Sequence, residues 1–591
     1  MQSKIIIFLS ALSLLFASCS IDEQLYVPVQ DGYIKDSADV VILVKGVYSG
    51  FTTNNLYKKQ LNYMTLYAHD VFATTNTNYH GYSKRTLNSS NSYIGGAWGE
   101  YYKIIKNANN LIDLLENGGI TTLREGYKDR IVGEMHFVRA FCYFELVRLY
   151  GEVPIITRPV SIGTDFYVPA SSIDDVYTQI FGDLKIAEEN CWPVNKQPND
   201  ERGRGNLGAV MAATADAALT YANHLELPND RALSPDPQKA KEYYKMAYEY
   251  ADKVITSGHY SLLADYIKLF DINDEAGAYK EVIFAIQFVA DTRATSASSR
   301  GSEFASWFQP TTRYGITGNV TNNKGSAIAK IQPWFYDLCT TGDYGAGTEN
   351  GDLTQIDYRS QTAFLTKWAK QGNDGIHRIT YPRQIAKEQA LDPTRKYEIN
   401  TGDLYPYLNK YADPGGLQQL NNGNDFFIYR LAEMYLIKAE ALNEYNGAPT
   451  AEAYEALEAV RKRARSKSGN KYPLKLDVSA GLSKEEFRMK IWDERGLEFV
   501  GEPKRHYDAV RMKYKDNRRT MMEYMYGDFY KNMPADMKKA LSYNSGTKTY
   551  GTGRAYLNNI GEYNRRFLRW PIPNSEKEGN PNMVQNPDFE W

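Results

Sequence analysis

A few residue patterns could carry chemistry by type and spacing. Gly203-Arg-Gly205-Asn-Leu-Gly208 has the glycine spacing that lets a backbone approach a pyrophosphate. A dinucleotide site also needs a strand leading into it, and Pro198-Asn-Asp-Glu-Arg202 stands there instead. The stretch therefore reads as a loop that opens a helix. The histidines are His69, His80, His136, His224, His259, His377 and His506. No two lie three or four apart, so a metal pair on one helical turn is absent. Nucleophile-elbow, phosphate-loop and zinc-protease motifs are missing. Glycosidases need two carboxylates flanking the scissile bond. With 71 acidic residues, chance pairs carry no weight. The chain reads as a binding protein, not an enzyme.

Cysteine chemistry points elsewhere. After Lys4, an apolar run from Ile5 to Phe16 is interrupted only by Ser10 and Ser13, and it ends in Ala17-Ser18-Cys19. The run is short for a membrane span, which takes ~20 apolar residues. A basic lead, a short apolar core and small residues before the break read as an export signal. Small residues followed by Cys resemble the lipobox of bacterial lipoproteins, with Phe16 where Leu is usual. On that reading residues 1–18 are removed, Cys19 is acylated, and lipid holds the protein to a membrane. The other cysteines, Cys142, Cys191 and Cys339, form no CxxC pair. Cys142 falls within an apolar helical pattern and is expected to be buried.

Composition narrows the partners. The 69 basic and 71 acidic residues nearly cancel, so no global field favours nucleic acid. Tyrosine is the outlier: 47 Tyr stand beside 23 Phe and 8 Trp. Such rings pack on apolar faces while keeping one polar tip. Most are expected to fill seams between helices.

The elements that must position these residues are mainly helical. Residues 19–37 read as a tether. Residues 40–67 show mixed helical spacing, and 72–96, rich in Thr, Asn, Ser and Gly, read as a long loop. Helices are predicted over Trp98–Glu116, Leu123–Tyr150, Ser172–Asn190, Leu207–Asn223, Pro237–Ser257, Asp425–Tyr445, Thr450–Ser466 and Ser483–Phe499. In the Pro237 helix, Ala240, Ala247 and Ala251 alternate with Tyr244 and Tyr248. Small against large at this spacing lets paired helices approach closely, as in tetratricopeptide-like hairpins. Glu281–Phe288 reads as a strand. Residues 290–330 and 340–425, and the tail from Ala535, read mostly as loop.

These pieces resemble one family. Asn107-Ala108-Asn109 resembles its "aN" helix, and Arg139–Pro154 resembles its "RA..YF.L...YG.VP" signature. Tyr250–Leu262, Ile428–Glu444, Ile491–Arg511 and Arg566–Trp591 resemble further blocks, in family order. The chain is identified as a member of the SusD/RagB family of nutrient-binding outer-membrane lipoproteins. The resemblance implies a mainly α fold, a tetratricopeptide-like helical-hairpin scaffold with long irregular loops and minor β structure. It divides the mature chain into an N-terminal helical region, 38–270, and a C-terminal region, 271–591, that carries ligand-facing loops. It also implies capture of glycan and its delivery to a SusC-like TonB-dependent transporter, at a surface-exposed position in the outer membrane of a Gram-negative bacterium. Asp22 and Glu23 resemble the acidic signal for surface export. Peptide capture, as by RagB-like members, and a structural or adhesive role are the alternatives. No cofactor is expected, and a structural calcium is left open.

Sugar recognition needs aromatic platforms with polar groups beside them. Family members place these near the "aN" helix and after the IFAIQF strand. The matching regions hold Tyr79, Tyr82, Tyr93 and Trp98, then Trp307, Phe308 and Tyr314, with Asp70, Asn91 and Arg313 as polar neighbours. Trp98 is read equally as platform or as first core residue of its helix. Trp307 is expected to be exposed, whereas Phe308 is open to turning inward. Arg430–Glu433 and Arg495–Glu498, each three apart, read as architectural ion pairs within or between packed helices. Trp570 and Pro571-Ile-Pro573 are expected to pin the tail.

Overall fold

The computed structural model describes residues 36–589, apart from 69, 75, 119–122, 161–165, 229–232, 291–300, 311–324, 345–356, 373–374, 381–401, 413–420, 466–477, 479, 535–536, 538, 545–548 and 556–562. Side-chain caps start most of the long helices. Asp36 opens α1, Ser37–Ser49, by accepting from the Ala38 and Asp39 amides. A short helix, α2, spans Gln60–Leu66, and another, α3, spans His80–Lys84. Helix α4 runs Ser92–Asn117 and starts six residues before Trp98. The Asn91 carboxamide oxygen accepts from the Tyr93 and Ile94 amides, which outweighs the poor helix propensity of Gly95 and Gly96. Gly96 is also needed for closeness, because a Cβ there would lie 2.8 Å from Asn55 Oδ1.

Helices α5, Tyr127–Tyr150, and α6, Ile173–Asn190, form one hairpin. Helices α7, Leu207–Glu226, and α8, Pro237–Thr256, form the next. Asn206 caps α7, so the glycine-rich stretch is the loop and helix start its sequence implied. Helix α5 ends at Gly151, whose φ of 84° an L side chain rarely adopts. Ala240, Ala247 and Ala251 are buried against the neighbouring helices, and Tyr177 stacks on Tyr221 at 4.3 Å across the α6–α7 seam. The alternation of small and aromatic residues thus produces the close helix packing it predicts.

A two-stranded antiparallel ribbon joins distant parts of the chain. Strand β1, Val282–Ile286, pairs with β2, Phe426–Arg430, so that Val282 faces Arg430 and Ile286 faces Phe426. Both strands are wholly buried. The helical reading of 425–445 is corrected over its first residues: Phe426 to Arg430 is strand, and α10, Leu431–Asn446, begins immediately after it. A run of aromatic and branched residues prefers extended backbone when a partner strand is available. Helices α11, Ala451–Arg465, α12, Lys484–Glu498, and α13, Lys504–Arg511, follow. A Ser483–Glu486 capping box opens α12.

The charged residues of the family blocks meet across elements instead of along a helix. Glu498 on α12 accepts from Arg359, Arg430 and Arg463. Arg430 also reaches Glu281 at 3.1 Å and Glu502 at 3.0 Å. Arg495 pairs with Asp508 at 2.7 Å and with Glu433 at 3.2 Å. Of the two readings, pairing within a helix or between packed elements, the structure shows the second: these residues lock separate segments in the interior. The C-terminal tail is fastened as expected. The Trp570 amide donates to Leu149 at 2.7 Å, and Asn586 Nδ2 donates to the carbonyls of Tyr150 and Trp570.

Candidate functional site

Six aromatic rings converge where α2, α3 and the first turn of α4 meet the short Phe304–Trp307 helix. Tyr63 on α2 is the hub. It stacks on Trp307 at 4.5 Å and 17°, lies 4.5 Å from Tyr79, and packs 6.0 Å from Tyr67, one helical turn away. Tyr82 and Tyr93 lie 6.0 and 6.2 Å from it. Tyr82 and Tyr93 are almost parallel, 6.4 Å apart at 8°. Tyr63, Tyr67, Tyr82 and Trp307 are buried, whereas Tyr79 and Tyr93 are half-buried and form the rim. The result is a two-ring ledge resting on a floor of four rings.

Local sequence explains the rim. Asn76 turns the chain by accepting from the Asn78 amide, which places Tyr79 at the end of a single turn before α3. The Asn91 cap fixes the first turn of α4 and so the position of Tyr93. The Tyr79 hydroxyl donates to the Tyr63 hydroxyl at 3.3 Å, which limits the rotation of the outer ring. Burial pushes the Tyr63 phenol well up, and it does the same to Tyr82. Both therefore remain neutral. Exposed Asn76, Thr77 and Asn78 add amide and hydroxyl groups beside Tyr79. Neutral rings with hydroxyl and amide neighbours can stack on an apolar ring face and hydrogen-bond its substituents.

The structure redistributes the residues singled out in the sequence. Trp307 is fully buried, not exposed; its indole is covered by Tyr63 on one side, so it supports the ledge from beneath. Trp98 is 2 % exposed and packs edge-on against Tyr150 at 5.0 Å, so it is a core residue and no platform. Phe308 turns inward between Phe72 and Tyr411. Asp70 is buried and takes two hydrogen bonds from Arg505, at 3.0 and 2.8 Å, which removes it from any ligand-facing surface. Arg313, Tyr314 and Cys19 lie outside the described residues. Of the named candidates, Tyr93 and Tyr79 stand at the ledge, and Tyr82, on α3, lies in the floor beneath them. Tyr63 and Tyr67 were not singled out. Their i,i+4 spacing was the available signal, because it stacks two rings on one helical face.

Among the described residues, no group of three or more His, Cys, Asp or Glu is placed to hold a metal ion. Cys142, Cys191 and Cys339 are buried free thiols. No described helix is long and apolar enough to cross a membrane.

Comparison with known proteins gives the class. The model of the SusD family matches residues 280–591, and a model described as starch-binding and associating with the outer membrane matches residues 31–195. The chain belongs to the SusD family. SusD-like protein P2 of Formosa agariphila is 27% identical over 488 residues, covering 82% of this chain and 85% of that one. A crystal structure of a SusD homolog from Bacteroides thetaiotaomicron superposes with a TM-score of 0.73 at 20% identity, covering 95% of this chain and 98% of that one. A laminarin-binding SusD-like protein superposes with a TM-score of 0.63 at 21% identity, covering 94% and 100%. The mainly α fold is therefore that of the SusD family.

Proposed function

We propose that this protein captures an oligo- or polysaccharide at the outer membrane and passes it to a SusC-like TonB-dependent transporter. The observation that carries the reading is the half-buried ledge of Tyr79 and Tyr93 on its floor of packed rings, within a SusD fold. Sugar rings present apolar faces that such a ledge can cover while their hydroxyls meet the neighbouring amides. The laminarin-binding neighbour and the family description that includes starch binding support a glycan as the ligand class. The same description, with the Ala17-Ser18-Cys19 sequence, supports anchoring to the outer membrane through lipid on Cys19.

The test is a panel of soluble polysaccharides, starch and laminarin included, run by affinity electrophoresis and then by calorimetry on the best binder. Saturable binding of one glycan is expected. Binding of peptides with no response to any glycan would replace the reading with peptide capture. The partner is tested by gentle solubilisation of native membranes. A SusC-like barrel should co-purify, because a stable shared surface buries at least ~1,200 Å².

A further inference from the structure

Behind the ledge lies a buried cation with no carboxylate partner among the described residues. Arg85 follows α3 and is 2 % exposed. Its guanidinium lies over the Trp570 ring at 3.8 Å, and one nitrogen, Nη2, donates to the Phe567 carbonyl at 3.2 Å. Nε and Nη1 have no partner. No carboxylate of the described residues pairs with it. The arginines of the interior cluster, Arg359, Arg430, Arg463 and Arg495, are by contrast matched by acids: Arg430 alone meets Glu281, Glu498 and Glu502. Desolvating a charge without an opposite charge is costly, and a cation–π contact offsets only part of that cost. Burial pulls the guanidinium down to about 9, with the Tyr526 phenol acting in the opposite direction. It stays protonated at neutral pH.

The surroundings repeat the pattern. Tyr526 packs on Phe567 at 4.3 Å, and its buried hydroxyl is unpartnered. Tyr82, edge-on to Trp570 at 6.0 Å, has an unpartnered buried hydroxyl, as Trp570 has an unpartnered Nε1. Guanidinium and indole N–H groups can only donate, and hydroxyls can donate. Two backbone features add to this. Arg85 occupies a left-handed conformation, φ 53°, that normally selects Gly or Asn. Tyr526 falls in a π-helical turn, Met525–Phe529, a rare geometry that often accompanies function. Both place a chosen side chain at an energetic disadvantage to the backbone.

We infer that Arg85, with the Tyr526 hydroxyl, forms an internal site for a small monoanion of halide size, chloride in ordinary media. The set offers positive charge and more unmatched donors than acceptors, which an anion complements and a cation does not. Arg85 is 2 % exposed, so it presents no surface to a sugar bound at the ledge. The occupied site would tie α3, which carries the Tyr82 floor of the ledge, to the C-terminal tail at Phe567 and Trp570. Sugar contact itself is no part of this inference, which does not depend on the glycan reading.

The experiment uses the purified full chain, crystallised in sodium bromide and melted in chloride, bromide and gluconate at equal ionic strength. An anomalous bromide peak within hydrogen-bonding distance of the Arg85 guanidinium is expected. The melting temperature should be higher in either halide than in gluconate, by about 1 °C or more for a chain of this size. Arg85→Met should lose both the peak and the halide response, and Tyr526→Phe should reduce the response while keeping the ring. Bromide ordered elsewhere in the crystal but absent at Arg85 would overturn the inference. So would a halide response that persists unchanged in Arg85→Met. If that variant does not fold, the bromide map of the unaltered chain and the Tyr526→Phe response decide.

Discussion

Around Glu498, three guanidiniums converge on one buried carboxylate, and each guanidinium has further acids beside it. Around Tyr82 and Arg85, buried donors outnumber acceptors, and the nearby rings of Tyr79 and Tyr93 reach solvent. Both regions bury polar groups, yet only the first is closed on itself. A closed network holds segments in register and has no capacity for a guest. An open one, with a rim and unmatched donors, has capacity that the fold does not use. The difference separates architecture from binding more sharply than residue type does, since arginine and aromatic residues populate both.

The comparison breaks most visibly at Glu498. Glu498→Ala leaves Arg359, Arg430 and Arg463 short of a carboxylate they share. Removing one partner of a buried ion pair costs about 3–5 kcal/mol. Urea denaturation should show that loss as a lower midpoint at unchanged slope. A loss below ~1 kcal/mol would mean that water reaches the cluster, and the contrast with Arg85 would lapse. Trp307→Ala is expected to follow closely, at about 3–4 kcal/mol, because it empties the floor under Tyr63. Undiminished stability with lost glycan binding would instead return Trp307 to the surface.

Acidity sharpens the same contrast. The three arginines hold Glu498 well below the usual carboxylate range against the opposing effect of burial, and arginine neighbours likewise lower Asp508. A depressed carboxylate contributes stability above its unfolded value, and that contribution is lost as pH falls through the folded value. The cluster therefore loses its contribution only below about pH 4. Asp425 has the opposite sign. Burial pushes it up to about 7, although it accepts from the Phe288 amide and the Tyr279 hydroxyl. The folded form then binds the extra proton, so stability falls as pH rises from about 4 to 7. Asp425→Asn should flatten that slope by roughly 1–3 kcal/mol in urea melts at pH 4.5 and 7.5. An unchanged slope would show that the carboxyl ionises freely in the folded protein.

Much of the closed region was legible in the sequence. Helical periodicity, the Ser483–Glu486 capping box and the alternation of Ala with Tyr in α8 depend on local spacing, and local spacing set those elements. The partners of Arg430 and Glu498 were not legible. They come from segments tens to hundreds of positions away, and the nearest acid along the chain is not the nearest in space. Trp307 was misread, and Trp98 was left open between platform and core, for a related reason. An indole beside Gly, Ser and Thr looks exposed, yet its neighbours in space are Tyr150 and Tyr63, which no spacing rule supplies. The 72–96 stretch was read as loop because its polar composition hides the Asn91 cap and the single turns that hold Tyr79 and Tyr82.

The smallest expected effect is the most diagnostic for the open region. Tyr93 sits at the rim, so Tyr93→Ala removes a ring face that a sugar would cover without emptying the core. The melting temperature should change little. Affinity for the glycan found in the panel should fall by about tenfold, since one such stacked ring contributes on the order of 1 kcal/mol. Tyr79→Ala should behave similarly but lose slightly more stability, because its hydroxyl also meets Tyr63. Tyr93→Phe should bind nearly as well as the parent if stacking dominates, and clearly worse if the phenol is the main contact. Calorimetry on these three variants separates ring from hydroxyl. If Tyr93→Ala and Tyr79→Ala both bind like the parent while Glu498→Ala still destabilises, the closed region keeps its role and the glycan surface must lie away from the ledge.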